Sequence, residues 1–342
     1  PGAGPLGDEA RLPEAAQARY REARSALSRQ ETAYEQNVLD ATHGWRRHVT
    51  DSADLAGLPE SALALAAEHA RRASADGWVF TLEAPSYLPV MMYAHSRELR
   101  RDLYGAYVTR ASDQGPCAGR WDNREPMTAI LELRARLADV LGFANYAELS
   151  LATKMAGSPA QVLDFLRDLA ARARPLAQAE FAELSDFARS RGGPDSLEAW
   201  DVAFHSERLR VERHAISAEE LRPYFPLPRV LEGLFAIVGR LYGLAIVEQH
   251  DVATWHPDVR CFRIDDRTGA PRGMFYLDAC ARPHKRGGAW MDDCLTRHGD
   301  AGRTQLPVAY LNCNFAPAFD GTPTLLTHDE VVTLFHEFGH GL

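Results

Sequence analysis

The spacing of apolar and polar residues predicts a chain that is helical over most of its length. The predicted helical segments repeat apolar residues at intervals of three and four, or consist of strong helix formers without a breaker. They cover residues 14–49, 59–75, 96–110, 126–141, 158–191, 197–213 and 229–242. Pro175 is expected to kink or split the fifth of them. The Gly/Pro-rich residues 1–13 are predicted to form a loop or a frayed end.

Four short runs have the composition of β-strands, namely residues 78–82, 259–265, 273–280 and 308–315. A turn-rich segment, residues 266–271, separates the second run from the third and predicts a hairpin. Three of these runs lie shortly before the end of the chain, so we expect a small β-sheet next to the last helix. The predicted fold class is mainly α with this small sheet.

The last helix is predicted together with its start and its two faces. Thr327 and Glu330 form a capping-box pair, and Leu326 and Val331 occupy the positions of a hydrophobic staple. On a helical wheel, His336 and His340 fall opposite an apolar stripe, so they would face a cleft while the stripe packs into a core. The stripe consists of Val331, Leu334, Phe335, Phe338 and Leu342.

Residues 336–340 read H-E-x-x-H, the two-histidine zinc motif of metallopeptidases. Positions i and i+4 lie one turn apart on a helix, so His336 and His340 can direct their imidazole nitrogens at one zinc ion. Glu337 lies about 100° around the helix, beside the metal, where it can act as general base. Asp329 shares the ligand face, either as a partner of a ligand or, the favoured interpretation, as an acid in the first helical turn. A catalytic zinc site needs a third protein ligand, which the motif does not contain. Chance alone can also produce the motif, but the cap and the separated faces argue against coincidence.

Composition narrows the class of protein further. The chain has 342 residues, 46% of them hydrophobic, and a net charge of −9, with one local basic stretch at residues 282–286. The charge argues against a nucleic-acid partner, and no run approaches the ~18 apolar residues of a membrane span. The five cysteines are widely spaced, form no C-x-x-C pair and are typical of reduced thiols in a cytoplasmic protein. No signal peptide is visible.

With the motif in place, the sequence resembles the oligopeptidase A branch of the thimet oligopeptidase family of zinc metallopeptidases. The matching stretches occur in the same order over nearly the whole chain. They are SYLPVM (86–91), AYVTRAS (106–112), LGFANY (141–146), PYFP (223–226), WHPDV (255–259), KRGGAWMD (285–292) and LTHDEV (326–331), which runs into HEFGH (336–340).

The resemblance implies a two-lobed, zincin-type enzyme with a deep channel that admits short unstructured oligopeptides and cleaves them as an endopeptidase in the cytoplasm. It makes His336 and His340 zinc ligands and Glu337 the catalytic base. It also implies that residues 287–289 and the strand through Tyr310 lie near the substrate.

Family members carry a third zinc ligand, a glutamate on the next helix, and a glycine-rich segment whose tyrosine and histidine stabilise the oxyanion; none of these is in the chain. We therefore expect a fragment truncated at both ends, with residues 1–93 as an N-terminal helical region and 94–342 as an incomplete catalytic region. Its partners would be short peptides and the missing C-terminal part of the same protein, and the isolated fragment should be inactive. Two alternatives stay open: a dipeptidyl carboxypeptidase of the same wider family, and a catalytically inactive helical module that binds peptides.

Overall fold

The computed structural model describes residues 12–300, 302–318 and 323–342, and these are mainly helical with a small sheet, as predicted. The predicted loop over residues 1–13 lies almost wholly outside the described residues. The helices are α1 Glu14–Gly44, α2 Glu60–Arg72, α3 Ala84–Tyr93, α4 Arg97–Val108, α5 Arg124–Val140, α6 Tyr146–Leu151, α7 Pro159–Ser190, α8 Ala199–His214, α9 Ala218–Leu221, α10 Leu227–Tyr242 and α11 His328–Gly341. The strands are β1 Arg47–Val49, β2 Trp78–Phe80, β3 Ala245–Gln249, β4 Arg260–Asp265, β5 Pro271–Cys280, β6 Trp290–Leu295, β7 His298–Asp300, β8 Arg303–Gln305 and β9 Val308–Phe315. Within the described ranges, no helix combines the length and the apolar composition that a membrane crossing requires.

The chain forms two compact units, and each is assembled from two separate segments. The first comprises the described part of Pro1–Trp45 together with Tyr104–Val202. In it, α1 packs against α5 through a core of Tyr20, Ala23, Leu27, Ile130 and Leu137.

Helix α7 in this unit is continuous through Pro175, so of the two predicted effects, a kink or a split, the split does not occur. Ser158 caps its first turn by accepting a hydrogen bond from the Gln161 amide, as the Ser-Pro start predicts. Proline removes one helical hydrogen bond. The helix is exposed around Pro175, so water can hydrate the carbonyl that loses its donor.

The first predicted helix ends five residues earlier than expected, at Gly44 rather than at residue 49. A Cβ at Gly44 would collide with the Trp121 ring, so the helix end needs glycine. The next residues form β1, which pairs antiparallel with β2 in the second unit. Pairing with a strand distant in sequence therefore overrides the local helical preference.

The second unit contains Arg46–Leu103 and Ala203–Leu342 and holds a five-stranded sheet in the order β3-β4-β5-β9-β6. Strands β3, β4 and β5 are antiparallel, and the predicted β4–β5 hairpin is confirmed. Strand β9 lies parallel to β5 and antiparallel to β6, which forms one end of the sheet.

Helices α10 and α11 cover one face of this sheet and enclose its core. Phe338 of α11 lies 5.5 Å from Phe275 and 6.3 Å from Phe235, measured between ring centroids. The predicted apolar stripe is confirmed for Leu334 and Phe338, which are buried, and for Val331 and Phe335, which are partly buried in the same core. The prediction is wrong for Leu342, which follows the last helical residue and is 47% exposed.

Candidate metal centre

The start of α11 is fixed by the predicted capping box. Thr327 Oγ1 accepts a hydrogen bond from the Glu330 amide at 3.1 Å, and Glu330 Oε2 accepts one from the Thr327 amide at 2.7 Å. Burial raises the pKa of the Glu330 carboxyl, although the hydrogen bonds from Thr327 oppose that change. Just before the cap, the Leu326 amide donates to the Phe225 carbonyl, so the segments that precede α10 and α11 are tied together. The start of α11 is therefore fixed by two features: the capping box and the backbone hydrogen bond between Leu326 and Phe225.

The two motif histidines meet on the exposed face of α11. His336 Nε2 and His340 Nε2 are 3.0 Å apart, and their rings are nearly perpendicular at 89°. Two nitrogen ligands about 2.0–2.1 Å from a tetrahedral zinc ion lie about 3.3 Å apart. The pair therefore fits two adjacent positions of a zinc site after a small adjustment of the rings.

Glu337 lies beside the histidine pair but is only 8% exposed. On the helix it falls between the histidine face and the buried positions of Leu334 and Phe338. One turn further along α11, Gly341 closely approaches Leu311 of β9, and Cys313 is the next β9 residue on that buried face. Burial mainly raises the pKa of the Cys313 thiol, and the charge of Glu337 adds to the increase. The Glu337 side chain is therefore enclosed on the side of the core, while its other side adjoins the histidines.

A third protein ligand is absent from the part of the chain that the structure describes, where no three His, Cys, Asp or Glu side chains gather around a common point. Asp329 does not fill that role: its side chain is fully exposed, and its Oδ1 lies 3.8 Å from His328 Nδ1 in the first turn. This placement supports the interpretation of Asp329 as an acid at the helix N-terminus.

The edge strand β6 runs beside α11, and the sequence did not predict it. A Cβ at Gly341 would lie 3.2 Å from Leu311 Cδ2 and 3.9 Å from Met291 Cγ, so the helix approaches β9 and β6 closely. Adjacent exposed aspartates at positions 292 and 293 interrupt the alternation that would have indicated a strand. In the described residues, β6 pairs with a strand only on its β9 side.

The two segments expected near the substrate both adjoin this sheet, one as the loop that enters β6 and the other as strand β9. The loop that leads into β6 is held by Asn314, whose Nδ2 donates to the carbonyls of Arg286 and Gly288 at 2.8 and 2.6 Å. Tyr310 lies on β9, but its side chain points to the face opposite α11, where its hydroxyl donates to Cys294 Sγ at 3.0 Å. The Tyr310 strand thus adjoins the candidate centre, while the Tyr310 ring faces away from it.

Comparison with protein families matches residues 90–342 to the family described as Peptidase family M3. This chain belongs to peptidase family M3. The M3 match contains α11, β6, β9 and all three motif residues. The resemblance to the oligopeptidase A branch, which the sequence motifs indicated, is confirmed by this family match and by curated relatives.

Three of these relatives show how the similarity is distributed. Oligopeptidase A of Escherichia coli (strain K12) is 55% identical over 332 residues, which are 97% of this chain and 49% of that protein. Dipeptidyl carboxypeptidase of the same strain is 36% identical over 335 residues, 97% of this chain and 48% of that protein. Saccharolysin of Saccharomyces cerevisiae is 29% identical over 77% of this chain and 38% of its own length. This chain thus spans about half the length, or less, of the curated relatives it matches.

Proposed function

We propose that the whole protein is a zinc-dependent endopeptidase that cleaves short unstructured oligopeptides in the cytoplasm. In this proposal His336 and His340 are two of the zinc ligands, and Glu337 is the general base. The observation that carries it is the meeting of the two imidazole nitrogens on the exposed face of α11, with Glu337 next to them, in a member of a peptidase family. A zinc ion, when bound, supplies a Lewis acid that acidifies water and polarises a carbonyl.

Glu337 would accept a proton from the attacking water and return it to the departing amine. A base must be held within hydrogen-bond reach of the proton that it takes, and its orientation limits the rate. Because Glu337 is only 8% exposed on a helix that packs against β9, few side-chain rotamers are open to its carboxylate. This restriction suits a base that must act repeatedly in one position.

The free edge of β6 is the proposed binding surface for the peptide. An extended chain can add to an exposed strand through main-chain hydrogen bonds, whereas a folded protein offers few such segments. This mode of binding explains a preference for short unstructured substrates. The alternative is that β6 only braces β9 beneath α11.

The third zinc ligand is proposed to come from the further length that the relatives have. The chain corresponds to about half of oligopeptidase A, and no third ligand lies near the histidines in the described ranges. In the same proposal, residues 94–342 belong to the catalytic region of a two-lobed, zincin-type enzyme, and residues 1–93 precede it as a helical region. The isolated chain should bind zinc weakly and should not turn over substrate.

The test compares this chain with the whole protein, extended to the length of its relatives. We expect the whole protein to bind one zinc ion and cleave a quenched fluorescent peptide, whereas this chain should show no turnover. Glu337→Gln should abolish cleavage and retain zinc, and Asp329→Asn, an exposed change on the same helix, should preserve both. Robust turnover by this chain, or full activity of the Glu337→Gln protein, would refute the proposal.

A dipeptidyl carboxypeptidase remains the second candidate because this chain is 36% identical to one over 97% of its length. Peptides with an amidated C-terminus separate the two activities. An endopeptidase accepts the amide, whereas an enzyme that removes C-terminal dipeptides needs the free carboxylate. A module that only binds peptides would behave identically with and without Glu337→Gln.

A further inference from the structure

A buried lysine lies beside the sheet, outside the residues that the proposed reaction uses. Lys285 belongs to the loop between β5 and β6, and 9% of its surface is exposed. Its Nζ lies 2.8 Å from Asp278 Oδ1, and the same carboxylate accepts hydrogen bonds from Arg282 and from Trp255 Nε1. Burial works to raise the pKa of Asp278, but the hydrogen bonds from Arg282 and Lys285 outweigh it and hold the pKa at about 2. The buried ammonium is therefore paired with a carboxylate that stays charged.

The Lys285 ammonium also binds backbone carbonyls where the pairing of β5 with β9 is interrupted. The step from Asp278 to Cys280 on β5 corresponds to a step on β9 that is longer by one residue, which is a β-bulge. Lys285 Nζ donates to the carbonyls of Asp278 and Cys280, each at 2.9 Å, and to that of Cys313 at 2.5 Å. A buried carbonyl without a hydrogen-bond donor destabilises the fold. The ammonium thus supplies the hydrogen bonds that the interrupted ladder lacks, and it fixes the shape of the bulge.

The bulged part of β9 lies under α11. Cys313 is 0% exposed and belongs to the core that also contains Leu334 and Phe338, the α11 residues on either side of the turn that carries Glu337. Burial raises the pKa of its thiol to about 12, so the thiol stays neutral in this core. The Cys313 carbonyl accepts a hydrogen bond from Lys285, while the Cys313 side chain packs in the core beneath α11. A shift of the bulge would therefore move the part of β9 on which this turn of α11 packs.

The same bulge is linked to the edge strand. Asn314, the residue after Cys313, donates to the carbonyls of Arg286 and Gly288 in the loop that enters β6. Lys285 precedes these residues in that loop. The Lys285 ammonium thus connects β5, β9 and the loop that leads to β6.

We propose that Lys285 is a positioning residue whose ammonium fixes the β9 bulge and thereby orients Glu337 relative to His336 and His340. This inference rests on the proposed peptidase function. Lys285 touches neither histidine, so its loss should leave zinc binding intact and act on the rate of the chemical step. A displacement of about 1 Å at a reacting group can reduce a rate by about a hundredfold.

The kinetic test uses the whole protein loaded with zinc and the variant Lys285→Met, which removes the charge and retains most of the side-chain volume. We expect kcat, per folded molecule and well below the unfolding temperature, to fall by about 10- to 100-fold, with unchanged zinc stoichiometry. Arg282→Gln is the matched control, because it removes a partner of Asp278 without touching a carbonyl of the bulge. Its kcat should stay within about threefold of the unaltered protein.

A second measurement on the same proteins separates positioning from general loss of stability. Thiol labelling with N-ethylmaleimide, followed by mass spectrometry, reports each cysteine separately. Cys294 is exposed and should react at once, whereas Cys313 and Cys261 are buried in neighbouring parts of the sheet. Lys285→Met should accelerate labelling of Cys313 by about tenfold or more and leave Cys261 protected.

Each outcome decides the inference. Faster labelling of Cys313 alone, with reduced kcat and retained zinc, supports it. Equal acceleration of labelling at both buried cysteines, with unchanged kcat per folded molecule, overturns the inference and leaves Lys285 a structural role only. Unchanged kcat with Cys313 still protected from labelling overturns it as well. If the unaltered whole protein cleaves no peptide, the proposed function fails and this inference fails with it. If that protein is active and Lys285→Met is equally active, only the inference fails.

Discussion

Replacement of Phe338 by alanine tests whether the histidine pair depends on the sheet beneath it. Phe338 is 4% exposed and packs edge-to-face on Phe275, with Phe235 as a second aromatic neighbour. It lies two residues after His336 and two before His340. The change to alanine would leave a cavity between α11 and the sheet directly below the two imidazoles.

The expected loss of stability follows from these contacts. Truncation of a buried phenylalanine to alanine costs about 3–5 kcal/mol, and each aromatic pair contributes about 0.5–1.5 kcal/mol to that figure. Phe338→Leu keeps part of the volume and should cost about 1–2 kcal/mol. Val332→Ala is the control on the same helix. Because Val332 is 55% exposed, its truncation should change the free energy of unfolding by less than about 0.5 kcal/mol.

Hydrogen exchange read by mass spectrometry is the suitable assay, since the two units need not unfold together. A loss of about 4 kcal/mol corresponds to a roughly thousandfold faster exchange of the amides in β5 and β9, provided that they exchange through opening of this core. Phe338→Leu should fall between the two alanine variants. If Phe338→Ala protects these amides as well as Val332→Ala does, α11 is not held by this core and the reasoning fails.

Three further changes probe the support of the same helix. Thr327→Ala should lose the capping hydrogen bond from the Glu330 amide, weaken the first turn of α11 by about 1 kcal/mol and speed the exchange of its amides. Thr327→Ser keeps the hydroxyl and should not. Equal amide exchange in the alanine and serine variants would contradict the role of the cap. Gly341→Val should destabilise the unit because its side chain would press on Leu311, whereas a gain in stability would show that the helix can move away freely. The pKa of Asp278 is lowered from 3.8 to about 2 in the folded state, so this charge stabilises the fold above pH ~4, and the contribution should be lost as the pH falls towards about 2. Asp278→Asn should lack that part of the pH dependence in an acid titration followed by circular dichroism, and an unchanged profile would remove Asp278 as its cause.

Helix α11 could be predicted because its signals are local. The cap, the apolar stripe and the histidine spacing all lie within one short segment, and the structure reproduces the capping bonds and the burial of Leu334 and Phe338. Only Leu342 departs from the predicted stripe. The pairing of the two histidine nitrogens follows from the same helical spacing.

Elements that depend on distant residues escaped prediction. Strand β6 forms through its pairing with β9, and its two exposed aspartates conceal any alternation. Helix α3 contains Pro85 in its first turn and Pro89 in its interior, and prolines usually indicate the end of a helix. Packing against neighbouring segments decides both cases, and propensity along the sequence does not report it.

The surroundings of the candidate base could not be predicted for the same reason. In the sequence, Lys285 belongs to a short basic stretch, which is typical of an exposed surface. In the structure its ammonium is buried at a bulge that exists only when β5 and β9 pair. The spacing of the motif identifies Glu337 as the candidate base, but the surroundings of its carboxylate depend on how the β-sheet is paired.

The order of the strands in the sheet also affects when, during folding, the histidine pair reaches its final position. Helix α11 rests on β9 and β6, and both strands precede it in the chain. During synthesis the sheet therefore leaves the ribosome before the helix does. The parallel pairing of β5 with β9 must close a long loop, which makes it slow to form relative to the local turn of a helix. We expect the helix to form rapidly once it has been synthesised and to dock late, so the geometry around Glu337 is complete only when β9 has paired with both β5 and β6.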